Sequence, residues 1–245
     1  MKNDTNQNIN KAIEWLREKV EQSNTKGLVV GISGGIDSAV CAALARKAFP
    51  EDSIGIIIPC GSVESDLEDA VKVVNSVGIK SFRIDLTTIQ KNLYDKIAAD
   101  ILYKEECARV AGANLKARLR MSVLYTYANL MNYLVVGTDN AAEAYTGYFT
   151  KYGDGGVDIL PIAGLKKRDV REWAQALSIP QEIISKPPSA GLWFGQTDES
   201  EMGTTYEMID DYLEGKEIPL KDRLIIDELH RKSQHKRELP PSFMF

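Results

Sequence analysis

A glycine-rich segment is the part of the sequence best suited to chemistry on a phosphate. It is the octapeptide Gly31-Ile-Ser-Gly-Gly-Ile-Asp-Ser38, which lies between a predicted strand and a helix predicted to start near Ser38. Glycines let the backbone turn tightly and approach a ligand without a Cβ in the way. The free N–H groups and the positive dipole end of the helix attract anions, and the hydroxyls of Ser33 and Ser38 can add donors. The segment therefore predicts a phosphate-binding loop.

An aspartate lies inside this loop, where the common P-loop of kinases and GTPases would carry a lysine in the pattern G-x-x-x-x-G-K-[ST]. A carboxylate repels phosphates unless a cation lies between them. Asp37 is therefore predicted to be a magnesium ligand. The alternative is that Asp37 only caps the following helix.

A second carboxylate follows the fourth predicted strand, in the segment Gly137-Thr-Asp-Asn-Ala-Ala-Glu143. In a parallel sheet ordered 3-2-1-4-5, strands 1 and 4 are neighbours whose carboxyl ends flank the crevice where ligands bind. We therefore expect Asp37 and Glu143 to face each other and to hold Mg²⁺ together with phosphate oxygens and water. The alternative for Glu143 is ordinary compensation of a helix dipole.

The elements that position these residues are predicted from short apolar runs that alternate with helical stretches. Buried strands are expected at residues 28–32, 53–58, 81–85, 133–137 and 157–160. Helices are expected from a capping box at 65–68 to Gly78, from Thr87 or Thr88 to about Tyr103, over about 108–132 and over about 167–177. The pattern predicts an α/β fold with a doubly wound parallel five-stranded sheet, order 3-2-1-4-5, helices on both faces and a single domain over residues 1–245.

Composition limits the classes of function. The 245 residues include 30 Lys and Arg against 35 Asp and Glu, a net charge of −5, which disfavours broad nucleic-acid binding. No apolar run approaches the roughly 20 residues of a membrane helix, and the polar start lacks a signal core. Cys41, Cys60 and Cys107 have no metal-binding spacing. We expect a cytoplasmic protein with reduced cysteines and neither membrane nor nucleic-acid partners.

The motif S-G-G-x-D-S after a strand resembles the phosphate loop of the N-type ATP pyrophosphatases, which have an adenine nucleotide alpha-hydrolase-like fold. Several further segments resemble one group of that superfamily, the NAD synthetases, and they occur in the family's order. They are Asn114–Met121, Gly137–Glu143, Gly147–Gly156, Leu160–Arg168, Lys186–Trp193, Gln196–Glu199 and His235–Arg237.

The resemblance implies a ligase that adenylates deamido-NAD with ATP and amidates it with ammonia, giving NAD, AMP and pyrophosphate. It implies an ATP site made of Gly31, Ile32, Ser33, Gly34, Gly35, Ile36, Asp37, Ser38, Thr138, Lys167 and Ser189. It implies a deamido-NAD site made of Arg118, Lys151, Asp158, His235 and Lys236. Asp37 and Glu143 match the Mg²⁺ ligands, and Asp154 and Lys167 match the catalytic positions.

Some of these positions keep a second interpretation. Asp154 lies in Gly-Asp-Gly-Gly, a common turn pattern. The basic residues around His235 also suit a solvated helix C-terminus. Lys166 stands where many relatives have threonine, so either Lys166 or Lys167 could reach the phosphate. Asn140 is often histidine in relatives, and no role is assigned to it.

The resemblance also bears on assembly and on the nitrogen donor. The region around residues 108–132 joins a two-fold interface in relatives, so a homodimer with deamido-NAD bound at or near the interface is predicted. Glutamine-dependent relatives carry an additional glutaminase domain, for which this length leaves no room. Free ammonia is therefore the expected donor, the alternative being a separate subunit that supplies it. The long segments 147–156 and 185–204 are expected to act as lids that exclude water, the alternative being surface connections.

Two other functions compete with this interpretation. A tRNA-modifying member of the superfamily is disfavoured by the acidic net charge and by the absence of cysteine from the phosphate-side motifs. A non-catalytic nucleotide sensor is also disfavoured, because such a protein need not keep both predicted metal ligands, Asp37 and Glu143.

Overall fold

A parallel sheet forms the centre of the chain. The computed structural model describes residues 2–99, 101–189 and 197–244. Within them the sheet has four strands in the order β3-β2-β1-β4: β1 (Gly27–Gly31), β2 (Ser53–Ile57), β3 (Lys80–Arg83) and β4 (Tyr133–Val136). Leu28 of β1 pairs with Ser53 on one side and with Leu134 on the other. This order confirms the predicted arrangement of the first four strands.

Helices connect and follow the strands. Within the described residues they are α1 (Lys2–Gln22), α2 (Ile36–Ala48), α3 (Glu64–Val77), α4 (Thr87–Ala98), α5 (Glu105–Met131), α6 (Ala141–Thr146), α7 (Lys167–Ala176), α8 (Gln181–Ser185), α9 (Asp198–Met202), α10 (Tyr206–Leu213), α11 (Leu220–Lys232) and α12 (Gln234–Arg237). None of these helices is long and apolar enough to cross a membrane.

Both faces of β1, β2 and β4 are covered, as the apolar runs predicted, whereas β3 is largely exposed, so the buried strand expected at 81–85 is wrong in that respect. On one face α1, α2 and α7 pack together; α1 contributes a stripe at helical spacing, Ile9, Ile13, Leu16 and Val20. On the other face α5 packs against β1 and β4. Because both faces of β2 are shielded from solvent, all five of its residues are buried. The α/β class is confirmed, although the sequence analysis did not predict α1.

A group of short helices forms a separate cluster beside the carboxyl end of the sheet. Met202 of α9, Tyr206 and Ile209 of α10 and Ile226 of α11 pack around Ala142 of α6. No sequence pattern above predicts these helices, and the expectation of a single loop over residues 185–204 is wrong. The segment instead contains α9, and its residues 190–196 lie outside the described part of the chain.

The predicted fifth strand is wrong. Residues 157–160 make one isolated parallel bridge to β4, between Val136 and Ile159. The side chain of Asp158 accepts a hydrogen bond from the backbone N–H of Val135 at 2.8 Å, so a carboxylate takes part of the edge of β4 that a strand would occupy. Pro161 follows and lacks the N–H group needed to extend a ladder.

Three predicted helix boundaries also differ from the structure. The capping box at Ser65 does not open α3, which begins at Glu64 after Val63 without a side-chain cap; Gly78 ends it in the left-handed conformation as predicted. Helix α4 ends at Ala98 rather than near Tyr103, and α5 begins at Glu105. These helix ends depend on tertiary packing, and a local capping sequence carries no information about that packing.

Asp158 is expected to stabilise the fold. It also accepts from the hydroxyl of Tyr125 at 2.9 Å, so Asp158→Ala removes two hydrogen bonds and leaves the buried N–H of Val135 without a partner. The free energy of unfolding should fall by about 1–3 kcal/mol, measured by urea denaturation. Unchanged stability, with weakened binding of deamido-NAD, would assign Asp158 to the ligand alone.

Candidate active site

The predicted phosphate loop joins β1 to α2 at the carboxyl edge of the sheet. Gly34 has φ +86°, and a Cβ there would lie 2.7 Å from the carbonyl oxygen of Asp66, so the loop passes against α3 with no space for a side chain. The hydroxyl of Ser38 donates to the carbonyl of Gly35 at 2.9 Å and accepts from the backbone N–H of Ser33 at 3.2 Å. These two hydrogen bonds fix the conformation of the loop at the N-terminus of α2.

A cavity of about 490 Å³ opens in front of this loop. Its lining brings together most of the residues predicted to bind ATP and metal and to act in catalysis. They are Gly31, Ile32, Ser33, Gly35, Ile36, Asp37, Ser38, Thr138, Glu143, Asp154, Lys167 and Ser189. Strand neighbours β1 and β4 supply the two sides of the opening, as the sheet order predicted.

Three charged groups meet inside the cavity. The ammonium of Lys167, whose side chain is 2% exposed, lies 2.6 Å from Asp37 Oδ2 and 3.5 Å from Glu143 Oε1. Burial disfavours the charged form of Lys167, but the two carboxylates raise its pKa above the ordinary value. Burial raises the pKa of Glu143 to about 7, against the opposing effect of Lys167. The lysine thus holds two carboxylates that would otherwise repel each other.

Asn140 orients both carboxylates from the opposite side. Its side-chain amide donates to Asp37 Oδ1 at 3.0 Å, and its backbone N–H donates to Glu143 Oε2 at 3.1 Å. Its side-chain oxygen caps α6 by accepting from the N–H groups of Ala142 and Glu143. Each carboxylate therefore turns its other oxygen toward Lys167. No role is predicted for Asn140 from the sequence, although its place before Ala-Ala-Glu is a capping-box signal.

The two oxygens aimed at Lys167 are suitable ligands for a divalent cation. Both lie within 3.5 Å of one positively charged atom, so they converge on a single point. Among the described residues no group of three or more His, Cys, Asp and Glu side chains could hold a metal. Two carboxylates completed by phosphate oxygens and water match the preference of Mg²⁺, which seldom has an all-protein cage.

Helix α10 fixes Lys167 in place through contacts that no sequence pattern above predicts. Asp210, 1% exposed, accepts hydrogen bonds from the backbone N–H groups of Lys167 and Arg168 at 3.0 and 2.9 Å and so caps the start of α7. Tyr206 lies with its ring face 4.5 Å from the Lys167 ammonium. Asp210 and Tyr206 are four residues apart in a helix, so they share one face, but no local pattern indicates what that face contacts.

Two further carboxyl groups line the cavity. Asp154 accepts from the backbone N–H of Thr150 at 2.9 Å, which agrees with its turn sequence. Asp139 is 6% exposed, and burial followed by the nearby Asp154 carboxylate raises its pKa well above the usual range. Burial also raises the pKa of Asp154. The sequence analysis did not assign Asp139, whose burial could not be inferred from its position after a strand.

The residues predicted to bind deamido-NAD fall into separate places. Lys236 lines the cavity and donates to the carbonyls of Gly147 and Phe149. Arg118, Lys151 and His235 form a chain of contacts: Arg118 donates to the Lys151 carbonyl, and the Lys151 ammonium donates to the His235 carbonyl. Asp158 lies elsewhere and contacts Tyr125 and the backbone of β4.

The two adjacent lysines point in different directions. Lys166 points away from the cavity and pairs with Glu214 at 2.6 Å, whereas Lys167 enters it. Lys186 pairs with Asp66 and Asp69 of α3 at 2.9 and 2.6 Å and so ties the segment that leads to Ser189 to the helix behind the phosphate loop. The remainder of the Lys186–Trp193 motif after Ser189, and Gln196, lie outside the described residues.

Comparison with known proteins assigns the family. The model of the NAD synthase family matches residues 8–240. An NH(3)-dependent NAD(+) synthetase of Alkaliphilus metalliredigens is 58% identical over 95% of this chain and 96% of its own length. The chain belongs to the NAD synthase family. The predicted resemblance is therefore confirmed.

Solved structures agree with this membership. An NMN synthetase from Francisella tularensis superposes with a TM-score of 0.93 at 40% identity and covers 98% of this chain and 99% of that chain. An NH3-dependent NAD synthetase from Campylobacter jejuni has a TM-score of 0.79 at 28% identity, with coverage of 98% and 99%. Both solved proteins therefore share the fold of this chain over nearly its full length.

The difference between Lys166 and Lys167 gives a test of the charge cluster. Lys167→Met leaves Asp37 and Glu143 buried without their cation, so the free energy of unfolding should fall by about 3–5 kcal/mol. Lys166→Met removes more exposed ion pairs and should cost about 1 kcal/mol or less. Urea denaturation measures both.

Magnesium chloride at constant ionic strength should recover more of the lost stability in Lys167→Met than in Lys166→Met, because a cation that binds the folded state stabilises it. Equal losses in the two variants, or no difference in their response to magnesium, would contradict the arrangement.

Proposed function

We propose that the cavity adenylates the nicotinate carboxylate of deamido-NAD with ATP and then amidates it with ammonia, releasing AMP and pyrophosphate. The overall reaction makes NAD and is the last step of its biosynthesis, as carried out by NH3-dependent NAD synthetases. The observation that carries the assignment is the meeting of Asp37, Glu143 and Lys167 in front of the phosphate loop.

The adenylation step needs positive charge, since the α-phosphorus is attacked by one anion while another departs. Backbone N–H groups at the start of α2 and the hydroxyls of Ser33 and Ser38 would hold the phosphates. The ammonium of Lys167 would neutralise charge that grows on the departing pyrophosphate, and a preorganised group of this kind contributes about 3–4 kcal/mol to transition-state stabilisation. Thr138 and Ser189, which line the same cavity, would add hydrogen bonds to ATP.

Mg²⁺ is proposed as the metal that accompanies ATP, held by Asp37 and Glu143. When bound, it would supply Lewis-acid stabilisation of the phosphate oxygens. Asn140 would keep the ligand oxygens of both carboxylates directed to one point, whether the lysine or the metal occupies it.

The amidation step needs unprotonated ammonia beside the adenylate. Ammonia arrives mainly as ammonium at neutral pH, so a carboxylate must hold the cation and accept a proton. Asp154 is proposed for this role because it lines the cavity and has a pKa raised by burial, which makes it a better proton acceptor than an ordinary aspartate. Arg118, Lys151, Asp158, His235 and Lys236 are proposed to contact deamido-NAD.

A related substrate defines the second candidate function. The Francisella tularensis structure that superposes with a TM-score of 0.93 is that of an NMN synthetase. The same adenylation and amidation applied to nicotinate mononucleotide would give NMN. Two curated relatives that are 58% and 56% identical to this chain are NH3-dependent NAD synthetases, and they favour the dinucleotide.

Parallel assays distinguish the two substrates and the nitrogen donor. With ATP, Mg²⁺ and ammonium, deamido-NAD should give NAD and AMP in equal amounts, at a kcat/KM at least about tenfold above that for nicotinate mononucleotide, a difference of about 1.4 kcal/mol in transition-state binding. Glutamine in place of ammonium should give no product. Preference for the mononucleotide would establish the second function, and absence of both products from folded protein would refute the proposal.

A homodimer is proposed from the unpaired apolar surface of α4 and α5. No residue of α4 is buried within the chain, and Ile89, Ile97 and Val110 are 55%, 52% and 51% exposed. Apolar patches of this kind mark protein interfaces. Arg118 lies on the same long helix α5, which agrees with deamido-NAD binding at or near the interface.

Sedimentation equilibrium should give twice the chain mass. Ile97→Asp should shift the protein toward monomer and raise the KM for deamido-NAD, because burying an unpaired charge at an interface opposes association. Leu220→Asp, on the exposed surface of α11, provides the matched control and should leave the dimer intact. A fully active monomeric wild type would exclude the homodimer.

A further inference from the structure

Tyr206 is the largest side chain that is fully buried beside the reaction centre, and the catalytic scheme above does not use it. It is 1% exposed, and its hydroxyl lies 2.9 Å from Glu143 Oε1 and 2.9 Å from Asp198 Oδ2. Its ring face lies 4.5 Å from the Lys167 ammonium. One side chain from α10 thus contacts a proposed metal ligand and the proposed phosphate-binding lysine.

The hydroxyl is held from two sides. A phenol has one hydrogen and donates it to one acceptor at a time, so Glu143 and Asp198 share a single donor. Asp198 is itself 5% exposed and opens α9. Since α9 and α10 both pack on α6, the hydroxyl is fixed relative to the helix that carries Glu143.

Tyr206 contacts Glu143 Oε1, the carboxylate oxygen that faces Lys167 and would face a bound cation. Glu143 Oε2 accepts from the backbone of Asn140, whereas Oε1 faces Lys167 and also accepts from Tyr206. Without the hydroxyl, the 3.5 Å contact with Lys167 would be the one polar contact left to Oε1 among the described residues, and the carboxylate could rotate about its terminal torsion, which is broad for glutamate.

We propose that Tyr206 is a positioning residue that fixes Glu143 for metal binding through its hydroxyl and supports Lys167 through its ring. This inference rests on the proposed role of Glu143 as a metal ligand. It assigns to the C-terminal helices a direct part in the affinity of the site for Mg²⁺ and its nucleotide.

The substitution Tyr206→Phe separates the two contacts, because phenylalanine keeps the ring and its volume and removes only the hydroxyl. Binding of Mn²⁺ with α,β-methylene ATP, followed by electron paramagnetic resonance, should weaken about tenfold, the effect of losing one hydrogen bond to a charged group. The KM for deamido-NAD should stay near the wild-type value, while the Mg²⁺ concentration needed for half-maximal turnover rises.

Tyr212→Phe is the matched control on the same helix. Its hydroxyl donates to Asp227 at 2.6 Å and lies away from the cavity, so Mn²⁺ affinity should be unchanged. Thermal unfolding of both variants shows whether stability is affected. A Tyr206→Phe protein that loses stability but binds Mn²⁺ as the wild type does would overturn the proposal.

Glu143→Gln distinguishes failure of this inference from failure of the proposed function. If Glu143→Gln leaves Mn²⁺ binding unchanged, Glu143 is not a metal ligand. Both its assignment as a ligand and the proposed role of Tyr206 are then refuted. If Glu143→Gln weakens binding and Tyr206→Phe does not, only the role of Tyr206 falls. In the double variant Tyr206→Phe should add no further loss, because it acts through Glu143.

A crystal structure of the wild-type protein with Mn²⁺ and α,β-methylene ATP gives the same test without a variant. Glu143 should coordinate Mn²⁺ while one of its oxygens stays within about 3 Å of the Tyr206 hydroxyl. A structure in which Glu143 coordinates Mn²⁺ but neither of its oxygens forms a hydrogen bond with the Tyr206 hydroxyl would overturn the proposal.

Discussion

Repulsion between two half-buried carboxylates is the constraint on which this active site depends. Asp37 and Glu143 must lie close enough to act on one cation, and their separation from bulk water makes the repulsion costly. Lys167 offsets it by lying between them, with its own charge maintained by the carboxylates it neutralises. Neither the carboxylates nor the lysine could remain buried and charged alone.

The fold meets this constraint by bringing together segments that are distant in sequence. Neighbouring strands β1 and β4 deliver Asp37 and Glu143 to one edge of the sheet, and α7 delivers Lys167 across it. Asn140 and α10 then fix the directions of the three groups. The sheet determines where the charges lie, and the hydrogen bonds around them determine which atoms face the ligand.

Much of this arrangement could be predicted because it follows from local patterns. The phosphate loop, the order of four strands and the pairing of Asp37 with Glu143 all came from glycine spacing, apolar runs and the rule that parallel strands end at one edge. The fifth strand failed because Asp158 competes for the edge of β4. Tyr206 and Asp210 were missed because their importance comes from packing between α10 and α7, and no local pattern encodes a contact between distant helices.

The position of α10 late in the sequence has a consequence for biosynthesis. A nascent chain is made from its N-terminus, and a domain generally folds as a unit. The contacts that fix Lys167 are incomplete until Tyr206 and Asp210 have been translated. A nascent or truncated chain that ends before α10 would therefore present a glycine loop without a fixed lysine. Competence for nucleotide chemistry thus requires that α10 has been synthesised and has packed against α7.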